Sequence, residues 1–489
     1  MSINTKVNAE ATQVYFLGTG YKTAHDELLT KLDFKPKFGK MKFLPESNIL
    51  YVGTEFKSAS DTIDPFAKAD WYELGAKVGK TLKANEIRDL QLNSEVALSR
   101  QEMELIVLGV LQSGVDFDKY MKEESSVEFN IFLQDTYSII LNTESQKYIE
   151  AIHNAVKLTR TLVDDTPQAI NPNTMPGIIR KELDSEQFTI KEYSYEDLQR
   201  MEMDGICAVG KASIHKPCMI HTTLKPEGEI KKKIVLIGKG LTYDCGGLDI
   251  KTGGHMAGMK CDMAGSATMF GTIKALSELN LKNTEVHWIS AFAENMIAGN
   301  AYKADDILTT YSGQTVEVDN TDAEGRLTLA DVLTFATFLK PDYIVDAATL
   351  TGACMAAIGH NFTGLMSNSL ELKNKLMTQF EAQNEPTTWV NMPERMRKAV
   401  KGEISDLMNT SNMERQAGHA TAGIFLSHFV DQNLFRNPML DIPEPKIFPW
   451  AHMDIAGSAY NHKCNSLGVS GATGQSVRSL VNWILDEDK

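Results

Sequence analysis

The sequence predicts an α/β protein. A smaller N-terminal α/β domain, residues 1–150, is joined by a long helix to a larger C-terminal α/β domain, residues 151–489, whose mainly parallel central sheet is flanked by helices. Three observations predict it. The 489 residues are 43% apolar and 23% charged, the balance of a soluble protein with a substantial core. In the C-terminal part, short β-branched runs (KKKIVLIG, EVHWISAFA, QTVEVDN, DYIVDAATL) alternate with amphipathic stretches (SATMFGTIKALSEL, EGRLTLADVLTFATFLK). That rhythm is the pattern of a parallel sheet covered by helices on both faces. Between the two parts, residues 144–164 carry Ile149, Ile152, Val156, Leu158, Leu162 and Val163 at near-helical spacing and stop at Thr166-Pro167.

The elements follow in chain order. QVYFLG, NILYVG and FNIFLQD read as strands of the N-terminal domain, and ADWYELGAKVGKTLKA as a helix. Gly205 to Lys211, GICAVGK, spells most of a phosphate-binding loop, but Ala212 stands where a magnesium-binding hydroxyl is required. The segment therefore reads as a strand with a glycine turn. From Gly238 onward the polar residues concentrate at strand ends and helix starts. They are Lys239, Asp244 and Lys251 around the Gly246-Gly247 turn, then Asp262, then Asn320 to Arg326 after TVEVDN. In α/β sheets function sits at the carboxyl ends of strands. If these strands are parallel neighbours, Asp244, Asp262, Asp322 and Glu324 converge at one end of the sheet.

Composition excludes several classes. With 49 basic and 64 acidic residues the net charge is −15, which argues against coating a polyanion, so nucleic acid is an unlikely partner. No basic-then-apolar leader opens the chain, and no apolar run approaches the roughly 18 residues of a membrane helix. The expectation is a cytoplasmic protein without membrane attachment. Six scattered cysteines (Cys207, Cys218, Cys245, Cys261, Cys354, Cys464) form no C-x-x-C pair and read as reduced thiols.

Four crowded carboxylates raise one another's pKa unless something compensates, and divalent metal is the usual compensation. Any one of the acids could instead cap a helix, as Asp262 and Asp322 could. The set as a whole, flanked by Lys239, Lys251 and Arg326, favours metal chemistry. Other hydrolytic templates fail: there is no H-E-x-x-H and no G-x-S-x-G. His255 reads as a solvated loop residue, and Cys245 and Cys261 as packing residues beside the acids. Arg326 is the sole arginine between Met201 and Glu394, a planar anion binder placed inside an acidic cluster.

At these residues the sequence resembles the cytosol (leucyl) aminopeptidase family. The signature N-T-D-A-E-G-R-L is intact as Asn320 to Leu327, inside ordered blocks around Lys239, Lys260, Asn295, Thr349 and Ile455. The resemblance runs from about Thr159 to the C-terminus. It implies a hydrolase that removes N-terminal residues, leucine and other apolar ones preferred, from peptides with a free N-terminus. It further implies a homohexamer with two divalent ions per subunit, Zn²⁺ and/or Mn²⁺, with Co²⁺ or Mg²⁺ possible.

By the same resemblance, Asp244, Asp322 and Glu324 hold one metal, while Lys239, Asp244, Asp262 and Glu324 hold the other. Lys251 stabilises the oxyanion, and Arg326 holds a bicarbonate that acts as general base on a metal-bridging water. Met259, Asn320, Thr349, Leu350, Gly352, Ala456 and Ala459 bind substrate. The sequence departs from the family at Ala459, where relatives often carry methionine, at Cys245 for serine, and at Ile297-Ala298 for Pro-Ser. Ala459 enlarges the pocket and implies relaxed size selectivity. The rival reading is a DNA-binding or regulatory protein that keeps the fold without peptidase work.

Overall fold

The computed structural model describes residues 2–4, 7–55, 68–134, 139–413, 416–461, 463 and 470–489. The chain divides into two compact units, one running as far as His153 and the other onward from Asn154. The division falls within the helix Thr143–Asp164, which realises the helical spacing of its apolar residues. Cys464 lies outside the described residues; the other five cysteines are buried free thiols.

The first unit is built on a six-stranded sheet. Its strands are β1 (Ser2–Asn4), β2 (Thr12–Leu17), β3 (Met41–Leu44), β4 (Ile49–Gly53), β5 (Asp89–Ser94) and β6 (Asn130–Leu133). They lie in the order β1-β6-β5-β2-β4-β3, parallel except for β3. The helices Trp71–Ala84 and Arg100–Ser113 accompany them, with a shorter one at Asp26–Lys31. The Asp70 carboxylate caps the first by accepting the Glu73 N–H, and a Ser99–Glu102 capping box starts the second.

The second unit carries β7 (Phe188–Tyr193), β8 (Cys218–Leu224), β9 (Lys232–Gly238), β10 (Gly240–Asp244), β11 (Thr284–Asn295), β12 (Ile307–Thr309), β13 (Thr315–Glu317), β14 (Tyr343–Ala348), β15 (Thr363–Ser367), β16 (Thr387–Trp389), β17 (Leu407–Met408) and β18 (Trp450–Asp454). Its main sheet runs β16-β15-β18-β14-β9-β11-β8-β7, with β10 paired to the end of β11. The centre, β18-β14-β9-β11, is parallel, and antiparallel partners join it at β15 and β8. These central strands read as continuous apolar runs because both faces are covered. On one face Val235, Ile237, Ile289 and Ala291 share a core with Leu327, Leu333 and Phe425 of covering helices. On the other, Phe270 of the helix Ala264–Leu279 stacks on Trp288 at 4.8 Å between ring centroids.

Two expectations are corrected. GICAVGK is not a strand with a glycine turn, since Asp204–Gly210 is a helix. Met203, Ile206 and Val209 are buried at three-residue spacing, and the Ile206 N–H near the helix start donates to the buried Asp331 carboxylate at 2.9 Å. The strand in QTVEVDN does not belong to the main sheet: β13 pairs with β12 and β17 in a separate three-stranded sheet. The acids after it therefore reach the site from beside the sheet rather than from a neighbouring parallel strand. Beyond Gly238 the chain stays extended. It resumes as β10, pairing Asp244 with Asn295 at the end of β11.

Candidate metal centre

Lys239 follows β9, where it is buried against the helix Gly325–Thr337. A Cβ at Gly325 would fall 2.5 Å from Lys239 Cε, so glycine there leaves room for the lysine stem. The Lys239 ammonium lies 2.8 Å from Asp262 Oδ2 and 2.9 Å from Glu324 Oε1, and donates to the Thr349 carbonyl at 3.0 Å. Lys251 lies 2.7 Å from Asp244 Oδ2 and 2.5 Å from Asp322 Oδ1. The Thr349 hydroxyl donates to Asp262 Oδ1 at 2.7 Å. One carboxylate oxygen from each of Asp244, Asp262 and Glu324 lies within 4.8 Å of the others, and all three residues are buried.

The turn between Asp244 and Lys251 is held from below. Gly246 and Gly247 have φ of +93° and +66°, a region glycine enters without strain. The Gly246 N–H and Asn295 Nδ2 both donate to Asp244 Oδ1, at 2.8 and 2.9 Å. Thr321 is bonded through every polar atom. Its N–H donates to Asp249 Oδ2 and its hydroxyl to the Gly246 carbonyl, while its own carbonyl accepts from Asn295 Nδ2 and the Tyr302 hydroxyl. This knot ties the Gly246–Lys251 turn to the loop that carries Asp322 and Glu324.

The capping alternative does not hold. The N-cap positions of the helices Ala264–Leu279 and Gly325–Thr337 are Met263 and Glu324, and neither makes a side-chain cap bond. The acids are turned toward one another instead, and the electrostatics record the strain. Burial, with Asp244 and Asp262 nearby, pushes the Glu324 carboxyl up to about 8 against the pull of Lys239 and Lys251. Burial likewise pushes Asp262 up to about 6, with Lys239 opposing, and raises Asp322. Burial works against both ammonium groups, but the acids outweigh it and raise Lys239 and Lys251 above the ordinary lysine value. Arg326, deprived of water, is lowered to about 10. Glu324 Oε2 and Arg326 Nε are buried with no hydrogen-bond partner. Two lysines thus stand where four carboxylates ask for more positive charge, and one carboxylate oxygen is unpartnered. That donor set fits hard divalent cations.

The structure brings together Lys239, Asp244, Lys251, Asp262, Asp322 and Glu324, with Thr349 bonded to Asp262 and Lys239. Asn320 supports the loop, its Oδ1 accepting the Asp322 N–H at 2.7 Å. Met259 shares a 3₁₀ turn with Asp262, Gly352 opens the helix Gly352–Ile358, and Ala456 and Ala459 lie just after β18. No hydrogen bond among the described residues joins Met259, Gly352 or Ala459 to the carboxylates. His255 is exposed, and the Cys245 and Cys261 thiols are buried with their pKa raised by burial, as packing residues should be. Sequence reasoning missed Asn295, Tyr302, Thr321 and Asp249 as supports. The block around Asn295 and Tyr302 held a signal, but nothing in it showed that both point at one carbonyl.

The fold and site together fit the class of α/β metalloenzymes, with a buried cluster of carboxylates at the end of a parallel sheet. Comparisons with known proteins name the family. Residues 157–481 match the model described as the cytosol aminopeptidase family, catalytic domain. A probable cytosol aminopeptidase of Wolinella succinogenes is 33% identical over 98% of this chain and 96% of its own length. That of Aquifex aeolicus is 36% identical over 79% and 75%. Among solved structures, the cytosol aminopeptidase of Coxiella burnetii superposes with a TM-score of 0.82 at 25% identity, over 100% of this chain and 99% of its own. A bottromycin maturation enzyme, BotP, in complex with Mn shares the fold at a TM-score of 0.82 and 24% identity, over 98% and 100%. The chain belongs to the cytosol aminopeptidase family and is a metal-dependent aminopeptidase.

Proposed function

We propose that the protein hydrolyses the N-terminal residue, leucine and other apolar residues preferred, from peptides with a free N-terminus. The buried cluster of Asp244, Asp262 and Glu324, their oxygens within 4.8 Å, carries this reading. Asp244, Asp322 and Glu324 would hold one divalent ion, and Lys239, Asp244, Asp262 and Glu324 the other. When bound, the pair supplies Lewis-acid polarisation of the scissile carbonyl and of the attacking water.

The chain's own residues do the rest. Asp262, a buried carboxylate facing a cationic group in this structure, anchors the substrate's free α-amine and so restricts cleavage to the first residue. Lys251 places a cation at the mouth of the cluster, where negative charge develops on the carbonyl oxygen. Arg326, buried with a free Nε–H, suits a small planar anion, and bicarbonate held there would take up the proton of the attacking water. Met259, Asn320, Thr349, Leu350, Gly352, Ala456 and Ala459 receive the first side chain, with Ala459 leaving more room than methionine. No helix of the described residues is long and apolar enough to cross a membrane. We place the enzyme in the cytoplasm as a homohexamer, to be read as about six times 54.2 kDa by light scattering.

The test is chelation followed by add-back of Mn²⁺ or Zn²⁺, with elemental analysis and a panel of aminoacyl substrates. Activity should vanish and return, and N-acetylated leucyl substrate should be refused. Activity that survives both thorough chelation and Glu324→Ala would overturn the metal reading. Equal turnover of acetylated and free-amine substrates would overturn the amine anchor.

A further inference from the structure

Asp454, the last residue of β18, is fully buried and is not among the groups proposed to touch metal or substrate. Its carboxylate nevertheless organises both segments that receive the first side chain. Asp454 Oδ1 accepts the Leu350 N–H at 3.2 Å, the Thr351 N–H at 3.4 Å and the Ala456 N–H at 3.2 Å. Asp454 Oδ2 accepts the Thr351 hydroxyl at 2.7 Å. The same hydroxyl accepts the Cys354 N–H at 3.0 Å, which caps the helix opened by Gly352. On one side the carboxylate therefore fixes the segment Thr349–Gly352. On the other it fixes the turn through Ala456, which continues to Ala459 by the bond from the Ala459 N–H to the Ile455 carbonyl at 2.9 Å.

The arrangement reaches the reacting end as well. Thr349, at the head of the first segment, bonds Asp262 through its hydroxyl and Lys239 through its carbonyl. A β-strand end would ordinarily leave the Leu350, Thr351 and Ala456 N–H groups to water or to a mobile loop. Here one buried carboxylate collects three of them through long bonds of 3.2–3.4 Å and a hydroxyl through a short one of 2.7 Å, and the last is the strong member of the set.

We infer that Asp454, acting through Thr351, is a positioning residue that sets side-chain selectivity by locking the 349–352 and 456–459 segments at a fixed separation. This inference rests on the proposed aminopeptidase reading and goes beyond it. Apart from Asn320 the pocket residues are small or apolar, so discrimination between leucine and alanine depends on how far apart their backbones are held. Loosening that separation lets the walls adapt to either side chain, and the advantage of the better-fitting one shrinks.

The test compares Asp454→Asn, Thr351→Val and Thr351→Ser with wild type, each loaded with Mn²⁺, on leucyl, alanyl and phenylalanyl substrates. Metal content is measured in parallel. Asp454→Asn keeps shape but turns an acceptor into a donor. Thr351→Val removes one arm at nearly constant volume, and Thr351→Ser keeps the hydroxyl. Both Asp454→Asn and Thr351→Val should retain metal and reduce the leucyl-to-alanyl ratio of kcat/KM about tenfold, the scale of one lost charged hydrogen bond. KM for the leucyl substrate should rise, and Thr351→Ser should stay within about twofold of wild type. If Asp454→Asn does not fold, Thr351→Val against Thr351→Ser decides.

An unchanged ratio, or an equal loss on all substrates, would overturn the inference while leaving the aminopeptidase reading intact. A wild-type enzyme that cleaves none of the substrates would overturn that reading, and this inference with it.

Discussion

Glu324 shows why the centre is costly to build without cations. One of its oxygens meets Lys239, the other is buried without a partner, and burial beside Asp244 and Asp262 pushes its carboxyl up to about 8. Lys251 occupies the opposite position, a cation retained among acids at the more open side of the cluster. If its role is to meet charge developing on the carbonyl oxygen, its loss should appear in turnover rather than in metal binding. Lys251→Ala should lower kcat by about two to three orders of magnitude, the usual scale for losing one oxyanion donor. Elemental analysis of the same preparation should still find both metals. A preparation that has lost its metal would show that Lys251 is needed to build the centre instead. The signature Asn320 to Leu327 made Asp322, Glu324 and Arg326 legible in one contiguous block, while Lys239, Asp244, Lys251 and Asp262 were legible from their places at strand ends and helix starts. Asp454 was illegible for the opposite reason. Ala456 lies only two residues on, but its other partners, Leu350 and Thr351, are brought to it by the adjacency of β14 and β18.

Elements place these residues, and two of them can be tested apart from catalysis. The Gly246-Gly247 turn hangs between β10 and the Thr321 loop. A Cβ at Gly247 would meet Asn295 Oδ1 at 2.8 Å and Thr321 Oγ1 at 2.9 Å, at a φ of +66°. Gly247→Ala should therefore cost about 1–3 kcal/mol of stability from backbone strain alone. It should also impair activity, since the turn carries Asp244 and Lys251; a wild-type melting temperature and rate would refute the knot described above. Farther along the sheet, β8 and β11 place His221 against His287, with 2.9 Å between Nε2 and Nδ1. Burial, then His287, Lys191 and Lys233, holds His221 down from 6.5 to about 4. The unfolded chain takes up this proton first as pH falls through 6.5, so the fold loses stability from there down to about 4. Fully expressed, that loss is on the order of 3 kcal/mol. His221→Gln should lose less of its melting temperature than wild type between pH 7.5 and 4.5, and parallel losses would refute the assignment. The alternation of strands and helices could be read from β-branched runs, but the sheet each run joins could not. A run as short as Thr315–Glu317 has the same pattern in a main sheet or a side sheet, and only packing decides.

For the whole molecule the net charge of −15 is a surface property, because the centre keeps its own account of four acids against Lys239, Lys251 and Arg326. Without metal, burial and the neighbouring acids favour the protonated forms there, pushing Glu324 up to about 8 and Asp262 to about 6. Between the ordinary carboxylate range and about 8 the folded state binds more protons than the unfolded one. The metal-free fold must therefore lose stability as pH rises through that window. Cation binding runs the other way, since ligating carboxylates must be ionised, and each step up in pH leaves fewer protons to displace. Binding to the folded state alone raises stability by RT ln(1 + [L]/Kd), about 2.7 kcal/mol at a hundredfold excess over Kd. The difference in melting temperature between Mn²⁺-loaded and chelator-stripped protein should accordingly be positive at pH 6 and widen at pH 7 and again at pH 8. Glu324→Gln, which carries no proton to lose and no charge to offer, should show a small difference that hardly changes with pH. A wild-type difference that stays flat across the series would mean that the ions bind elsewhere than among these carboxylates.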